Sequence, residues 1–358
     1  MMKSTKNKMW LCLLLACVLA FSLCSCSDGG QPTSSQSAGS GGGASAEDFT
    51  PVQWRMANMH PNDSFVTEMD QQLCKDIEEA TEGRVSITLY TDSQLGDYTS
   101  VFEEIMVGSI EMAHITPVEA YDSRLIGAYL PYLAFEFSDM KEVLSPDNYL
   151  FQTCADIERG LGIELLGFFV EGFNGIGSAK QVTEPGVPGA NKQAMIRVAA
   201  MDTYTTCNEV LGFQTSNIPY SDTYTAIQTN LVDGWAGGPP NLNYLYFRDV
   251  IKYFYDYRQC CEVNNYHVNA SAFGALLPED QAAIRELCYA ACEKSFELAE
   301  ADTQKYKDML RDANVEVVEF TEAEYEAMAT AVREEAWPQL ADSFTQEFLD
   351  SLLASLPA

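Results

Sequence analysis

The segment 53–115 reads QWRMANMHPNDSFVTEMDQQLCKDIEEATEGRVSITLYTDSQLGDYTSVFEEIMVGSIEMAHI, and its changes of period decide the fold. Gln53 to Ala57 has the composition of a strand. Ser64 is a good N-cap for a helix that places Phe65, Met69, Leu73 and Ile77 on one stripe and stops at Gly83. Val85 to Tyr90 alternates as a strand, Asp97 to Val107 reads as a helix ended by Gly108, and Ile110 to Ile115 as the next strand. This β-α-β-α-β order predicts a parallel sheet with helices on its faces. Ligands bind such sheets beyond the carboxyl ends of the strands. Those ends carry Asn58-Met59-His60-Pro61, then Asp92 to Gly96, then His114-Ile115-Thr116-Pro117.

Working outward, the same alternation resumes at Leu165 to Val170, at Ala194 to Val198 and near Gln214 to Ile218. Beyond about residue 275 the pattern is almost wholly helical. The 358 residues exceed what one compact core usually holds, so two lobes are expected. Hydrophobic residues at 47% and charged ones at 20% suit a folded globule. The formal charge of −31 argues against nucleic acid or an anionic lipid surface as a partner.

The N-terminus reads as an export signal. Lys3, Lys6 and Lys8 precede the apolar run Trp10 to Leu23, which is too short to span a bilayer. Leu23-Cys24-Ser25-Cys26 looks like a lipobox, in which Cys26 becomes the lipidated N-terminus after cleavage. Cys24 is the poorer choice because bulky Leu23 precedes it, and no A-x-A site directly follows the apolar run. Residues 27–46 are mainly Gly, Ser, Gln and Ala, a flexible tether. Loss of the three signal lysines takes the mature chain to −34, with 18 basic against 52 acidic residues.

Seven cysteines remain beyond Cys26. Cys260 and Cys261 are adjacent, and Cys288 and Cys292 stand at i,i+4, a poor disulfide spacing. They are expected to be mostly buried free thiols. His60, His114 and His267 are the three histidines, with no HExxH and no zinc-type spacing, so neither metal nor cofactor is expected.

ANMHP (57–61), EATEGRVSI (79–87), SQLG (93–96) and MVGSIEMA (106–113) together resemble the opening of DctP-type solute-binding proteins. These serve TRAP (tripartite ATP-independent periplasmic) transporters. MIRV (195–198), Leu211-Gly212, YTAIQTNLVDG (224–234), VIKY (250–253) and Leu277-Pro278 continue the likeness in family order over roughly residues 52–345. The resemblance implies an α/β fold of two lobes, like other periplasmic binding proteins, with a ligand cleft between them and a long connecting helix. The expected division is 1–25 signal peptide, 26–47 linker, 48–173 and 260–299 lobe 1, and 174–259 and 300–358 lobe 2. Crossings between lobes are expected near Asn174, near Gln259 and around Ala299. It further implies an extracytoplasmic, lipid-anchored monomer that captures a small organic acid and passes it to TRAP integral-membrane subunits.

The resemblance places Arg197 where the family has its carboxylate-binding arginine. A guanidinium offers a carboxylate two parallel charge-assisted bonds that lysine does not match. The bland alternative is a structural arginine paired with a neighbouring acid. Where the family often has a second arginine, Gly172-Phe173-Asn174 stands instead, so Phe173 and Asn174 are candidate contacts without charge. After Gly234 comes Trp235-Ala236-Gly237-Gly238-Pro239-Pro240-Asn241. Trp235 is a candidate aromatic wall or plain core, Gly237 supplies room and a backbone N–H, and Asn241 an amide. The acid that precedes the tryptophan in a metal-binding subgroup is absent, which argues against a metal-bridged ligand. His60 and His114 are ligand donors or structural histidines. An extracytoplasmic hydrolase, or a sensor or adhesion protein on the same fold, is the alternative class. For the enzyme reading no G-x-S-x-G elbow, P-loop or histidine near a nucleophile is found.

Overall fold

The structure is a computed structural model that describes residues 49–134 and 136–356. The expected signal, Cys26 and the tether lie outside the described residues. The chain opens with β1 (Val52–Asn58), α1 (Phe65–Ala80), β2 (Val85–Tyr90), α2 (Tyr98–Met106) and β3 (Met112–Ile115). Ser64 caps α1, its Oγ accepting from the Thr67 N–H at 3.1 Å, and Asp97 caps α2 by accepting from the Thr99 N–H at 3.2 Å. The stripe Phe65, Leu73 and Ile77 of α1 is buried, as the period predicts. A 3₁₀ turn (Ser123–Tyr129), α3 (Phe137–Val143) and α4 (Tyr149–Gly160) lead into the long β4 (Ile163–Phe173).

The second part carries β5 (Ile176–Ser178), β6 (Met195–Val198), α5 (Asp202–Val210), β7 (Gln214–Asn217), α6 (Thr223–Gln228) and β8 (Gly234–Ala236). Short α7 (Pro240–Leu242) runs into a π-helical turn (Asn243–Phe247), then β9 (Tyr253–Tyr255). The rest comprises β10 (Cys261–Asn269), α8 (Ala270–Gly274), α9 (Pro278–Asp312), β11 (Glu316–Val318), α10 (Glu322–Glu335), α11 (Trp337–Phe344) and α12 (Gln346–Ala354). One sheet has the order β2-β1-β3-β10-β4, the other β11-β9-β5-β8-β6-β7. β1 is parallel to β2 and β3, as predicted, while β10 enters antiparallel between β3 and β4. These two sheets are the two lobes of an α/β fold.

The chain changes sheet between Phe173 and Ile176 and again between Tyr255 and Cys261. At 35 residues, α9 is about 52 Å long and reaches both lobes. Near its start Arg84 clamps Asp280 through two hydrogen bonds of 2.9 and 2.8 Å. Further along, Ser295 Oγ accepts from the Val170 N–H, and a side chain on Gly167 would strike Cys292 Sγ at 2.5 Å. Near its end Lys307 pairs with Asp256 at 2.5 Å and Glu319 at 2.9 Å, and Leu310 belongs to the second lobe's core.

Within the tail 300–358, β11 joins the second lobe's sheet, while the last helix turns to the first lobe. Asn148 of the first lobe donates to the Ser355 carbonyl at 3.1 Å, and Phe348 packs on Tyr149. α12 therefore covers α4, because its apolar face Phe348, Leu349 and Leu352 is buried there. All seven cysteines of the described chain are buried free thiols. Among the described residues no helix is long and apolar enough to cross a membrane.

Candidate functional site

Between the two sheets lies a cavity lined from both lobes. The first lobe contributes Met59, His60, Tyr98, Thr116, Tyr129, Glu171, Glu262 and Asn264. The second contributes Arg197, Met201, Tyr204, Tyr220, Trp235, Gly237 and Gly238. Met59, His60 and Thr116 follow the carboxyl ends of β1 and β3, where a parallel sheet places its ligands.

Arg197 is central in β6 and 3% exposed. Its Nε donates to the Ile218 carbonyl at 2.8 Å, and the guanidinium sits 5.8 Å from the centroid of the Tyr220 ring. The terminal nitrogens form no other hydrogen bond or ion pair among the described residues. Burial pulls this guanidinium below its ordinary value, yet arginine keeps its proton in proteins. The result is a buried cation whose fork is open to the cavity.

The opposite wall is acidic. Glu262 of β10 is opposite Gly172 of β4 and Val263 opposite Val170, so Glu171 is the extra residue of a β-bulge. A bulge bends the strand and re-aims a side chain, and here both carboxylates line the cavity. Glu171 Oε1 accepts from Asn264 Nδ2 and contacts His60 Nε2 at 2.6 Å, while the buried Oε2 has no partner among the described residues. Burial alone would lower the His60 pKa; the charge and hydrogen bond of Glu171 outweigh it, and the net shift is upward. Glu262 accepts from Tyr204 at 2.8 Å and shares the Tyr129 hydroxyl, 3.1 Å away, with the Val263 carbonyl. Burial first, then the charge of Glu171, push it up to about 7.

This shift yields a pH prediction. Glu262 is faced by Glu171, His60, Tyr98, Tyr129, Tyr204, Tyr220 and the neighbouring thiols. Its folded pKa lies above the unfolded one, so the folded state binds the extra proton. Its contribution to stability is full below pH of about 4.5 and is lost as pH rises through about 7. Urea denaturation of wild type and Glu262→Gln at several pH values should show their stability difference changing by ~3 kcal/mol across that window. A difference independent of pH would contradict the shift.

Trp235 is 1% exposed, in β8. Its Nε1 donates to Asn243 Oδ1 at 3.0 Å, and its ring packs 4.3 Å from Phe247. Gly238 lies directly on that ring: a Cβ there would come within 2.3 Å of Cη2, and its φ of +69° suits glycine. Gly237 also lines the cavity.

The other expected contacts are placed differently. His114 lies within β3, not past its end, and its Nδ1 contacts Asp70 at 2.9 Å inside the first lobe. Asn174 is buried at the crossing: Oδ1 accepts from the Cys260 N–H, and Nδ2 donates to Tyr204 OH at 2.8 Å. It braces a cavity residue from behind. Phe173 packs edge-on against Phe137, away from the lining. Asn241, within α7, turns its Oδ1 to the Leu242 N–H at 2.9 Å. Among the described residues no three His, Cys, Asp or Glu side chains converge as a metal site.

The lips of the cleft touch. Tyr246, on the π-helical turn, donates to Asp92 at 2.5 Å and to the Met59 carbonyl at 3.3 Å. The Asp202 N–H at the start of α5 donates to Glu119 at 2.7 Å. The cavity between them measures about 30 Å³, room for about two waters. An organic acid is larger, so entry requires the lobes to part.

Residues 56–342 match the family model described as bacterial extracellular solute-binding protein, family 7. The chain belongs to that family. Among curated relatives, a solute-binding protein of Chromohalobacter salexigens is 23% identical, over 74% of this chain and 79% of its own length. A TRAP periplasmic solute-binding protein from Desulfovibrio salexigens, solved with orotic acid, has a TM-score of 0.76 at 16% identity, covering 85% of this chain and 97% of that one. One from Ralstonia eutropha, solved with (S)-2-acetolactate, has a TM-score of 0.76 at 19% identity, covering 85% and 98%. These likenesses agree with the two-lobe fold. Family 7 proteins are solute receptors that work outside the cytoplasm.

Glu171 and Glu262 were not foreseen from the sequence, nor were Tyr98, Tyr129, Tyr204 and Tyr220. One signal was present. Glu171 interrupts the otherwise apolar run LLGFFVEGF (165–173), and a lone acid in a buried strand needs a partner or a task.

Proposed function

We propose that this solute-binding protein captures a small organic acid in the cavity between its lobes, closes on it, and delivers it to TRAP membrane subunits. The observation that carries the reading is Arg197: a cation buried at the cleft, held by one backbone carbonyl and lacking an acidic partner among the described residues. Burying an ion is costly unless something neutralises it. A ligand carboxylate would do so through two parallel bonds. The acids bound by the Desulfovibrio and Ralstonia proteins are consistent with that chemistry. Closure is a hinge motion stabilised by a ligand that touches both lobes. Trp235 and Gly237 form one wall of the site and His60 part of the other.

A thermal-shift panel of carboxylic acids tests the reading, since a ligand that binds the folded state raises Tm by mass action. At least one acid should raise Tm in a concentration-dependent way; uncharged amides of the same skeletons should not. Equal shifts by acid and amide would contradict it.

The anchor belongs to the same proposal. Lipidation of Cys26 would hold the receptor as a monomer at the membrane, on a tether of about 20 residues that reaches on the order of 25 Å. Membrane fractionation should find wild type in the membrane pellet and Cys26→Ala in the soluble fraction or unprocessed. Unchanged retention of the variant would rule out this anchor.

A further inference from the structure

The two walls of the cavity carry opposite unmet demands. On the second lobe, Arg197 presents donors that lack an acceptor. On the first lobe, Glu171 Oε2 is buried and has no donor among the described residues, although its residue lines the cavity. Glu262 beside it receives only phenolic hydroxyls, and no cation forms an ion pair with it among the described residues. A simple carboxylate meets the first demand and adds a third anion to the second. A hydroxyl on the ligand supplies one donor and no charge. An ammonium supplies three donors and a positive charge. Tyr98, Tyr129 and Tyr204 line the same cavity, and aromatic rings attract cations.

We infer that the ligand is a zwitterion, an amino-bearing carboxylic acid whose carboxylate meets Arg197 and whose ammonium meets Glu171 and Glu262. The inference rests on the organic-acid reading above and narrows its substrate class. The charges then balance: Arg197 against the carboxylate, the ammonium against Glu262, and His60 against Glu171. The bulge that turns Glu171 into the cavity is the device that makes the acidic wall.

The experiment uses the folded mature chain and matched probes on common skeletons. One set is alanine, lactate and propionate; another glutamate, 2-hydroxyglutarate and glutarate; a third phenylalanine, phenyllactate and phenylpropionate. Isothermal titration should find, in at least one set, the amino acid bound at least about 100-fold more tightly than its hydroxy and unsubstituted partners, because those leave buried acceptors unpaired. Glu262→Gln and Glu171→Gln should each narrow that ratio at least about tenfold, while the affinity for the unsubstituted acid holds or rises. Glu262→Gln keeps the His60 to Glu171 pair intact, so it serves if the other variant fails to fold. If hydroxy or unsubstituted acids bind as tightly as their amino partners, the zwitterion is wrong while the acid receptor stands. If no acid of any set binds, both readings fall.

Discussion

Arg197→Ala should abolish measurable capture of the cognate acid. Truncating one member of a desolvated charge pair costs roughly 2–5 kcal/mol, about 30- to several-thousand-fold in affinity. The cost comes from the ligand carboxylate, which would be left buried without its counter-charge. Arg197→Lys keeps the charge but replaces the fork with a point, and the donor to Ile218 is lost as well. It should fall between the two. Titration of each variant, with a circular dichroism spectrum to show that it is folded, makes the comparison. Binding of Arg197→Ala within threefold of wild type would return Arg197 to a structural role.

The second large effect is on the second lobe itself. Trp235→Ala removes a side chain that is 1% exposed, packed against Phe247 and seated on Gly238. Loss of a buried tryptophan costs about 3–5 kcal/mol through lost burial and the cavity left behind. It also strips Asn243 Oδ1 of its donor, while Asn243 Nδ2 still has to hold the Gly238 and Pro239 carbonyls. The urea midpoint should therefore fall sharply. Trp235→Phe refills most of the space but lacks the N–H, and should lose about 1–2 kcal/mol, the usual cost of one unmet buried acceptor. Equal stability of Trp235→Ala and wild type would show that the ring is not a structural support of the cleft.

The architecture was legible because it rests on local periods. The α1 stripe, the caps Ser64 and Asp97, and the strand Val85–Tyr90 follow from spacing that any chain of this pattern must satisfy. Arg197 stands in a short motif that resembles the family's, which is why the sequence singles it out, and it lines the cavity. The acidic wall was not, because it depends on a bulge between two strands nearly 90 residues apart in sequence. In a chain with 52 acids, no spacing marks Glu171 and Glu262 as neighbours. The direction of His114 escaped for a related reason. Met112, Ala113, His114 and Ile115 are all buried, so β3 is covered on both faces and alternation does not say which face meets the cleft. Asn174 lies between β4 and β5, and its side chain ties the two crossing segments together and so stands behind Tyr204.

The most direct measurement is a crystal structure of the protein with the tightest acid of the panel. The account predicts closed lobes with the ligand carboxylate within about 3 Å of the two terminal nitrogens of Arg197, the spacing of charge-assisted bonds. A ligand bound between the lobes with its carboxylate away from Arg197, or one bound outside the cleft, would contradict it.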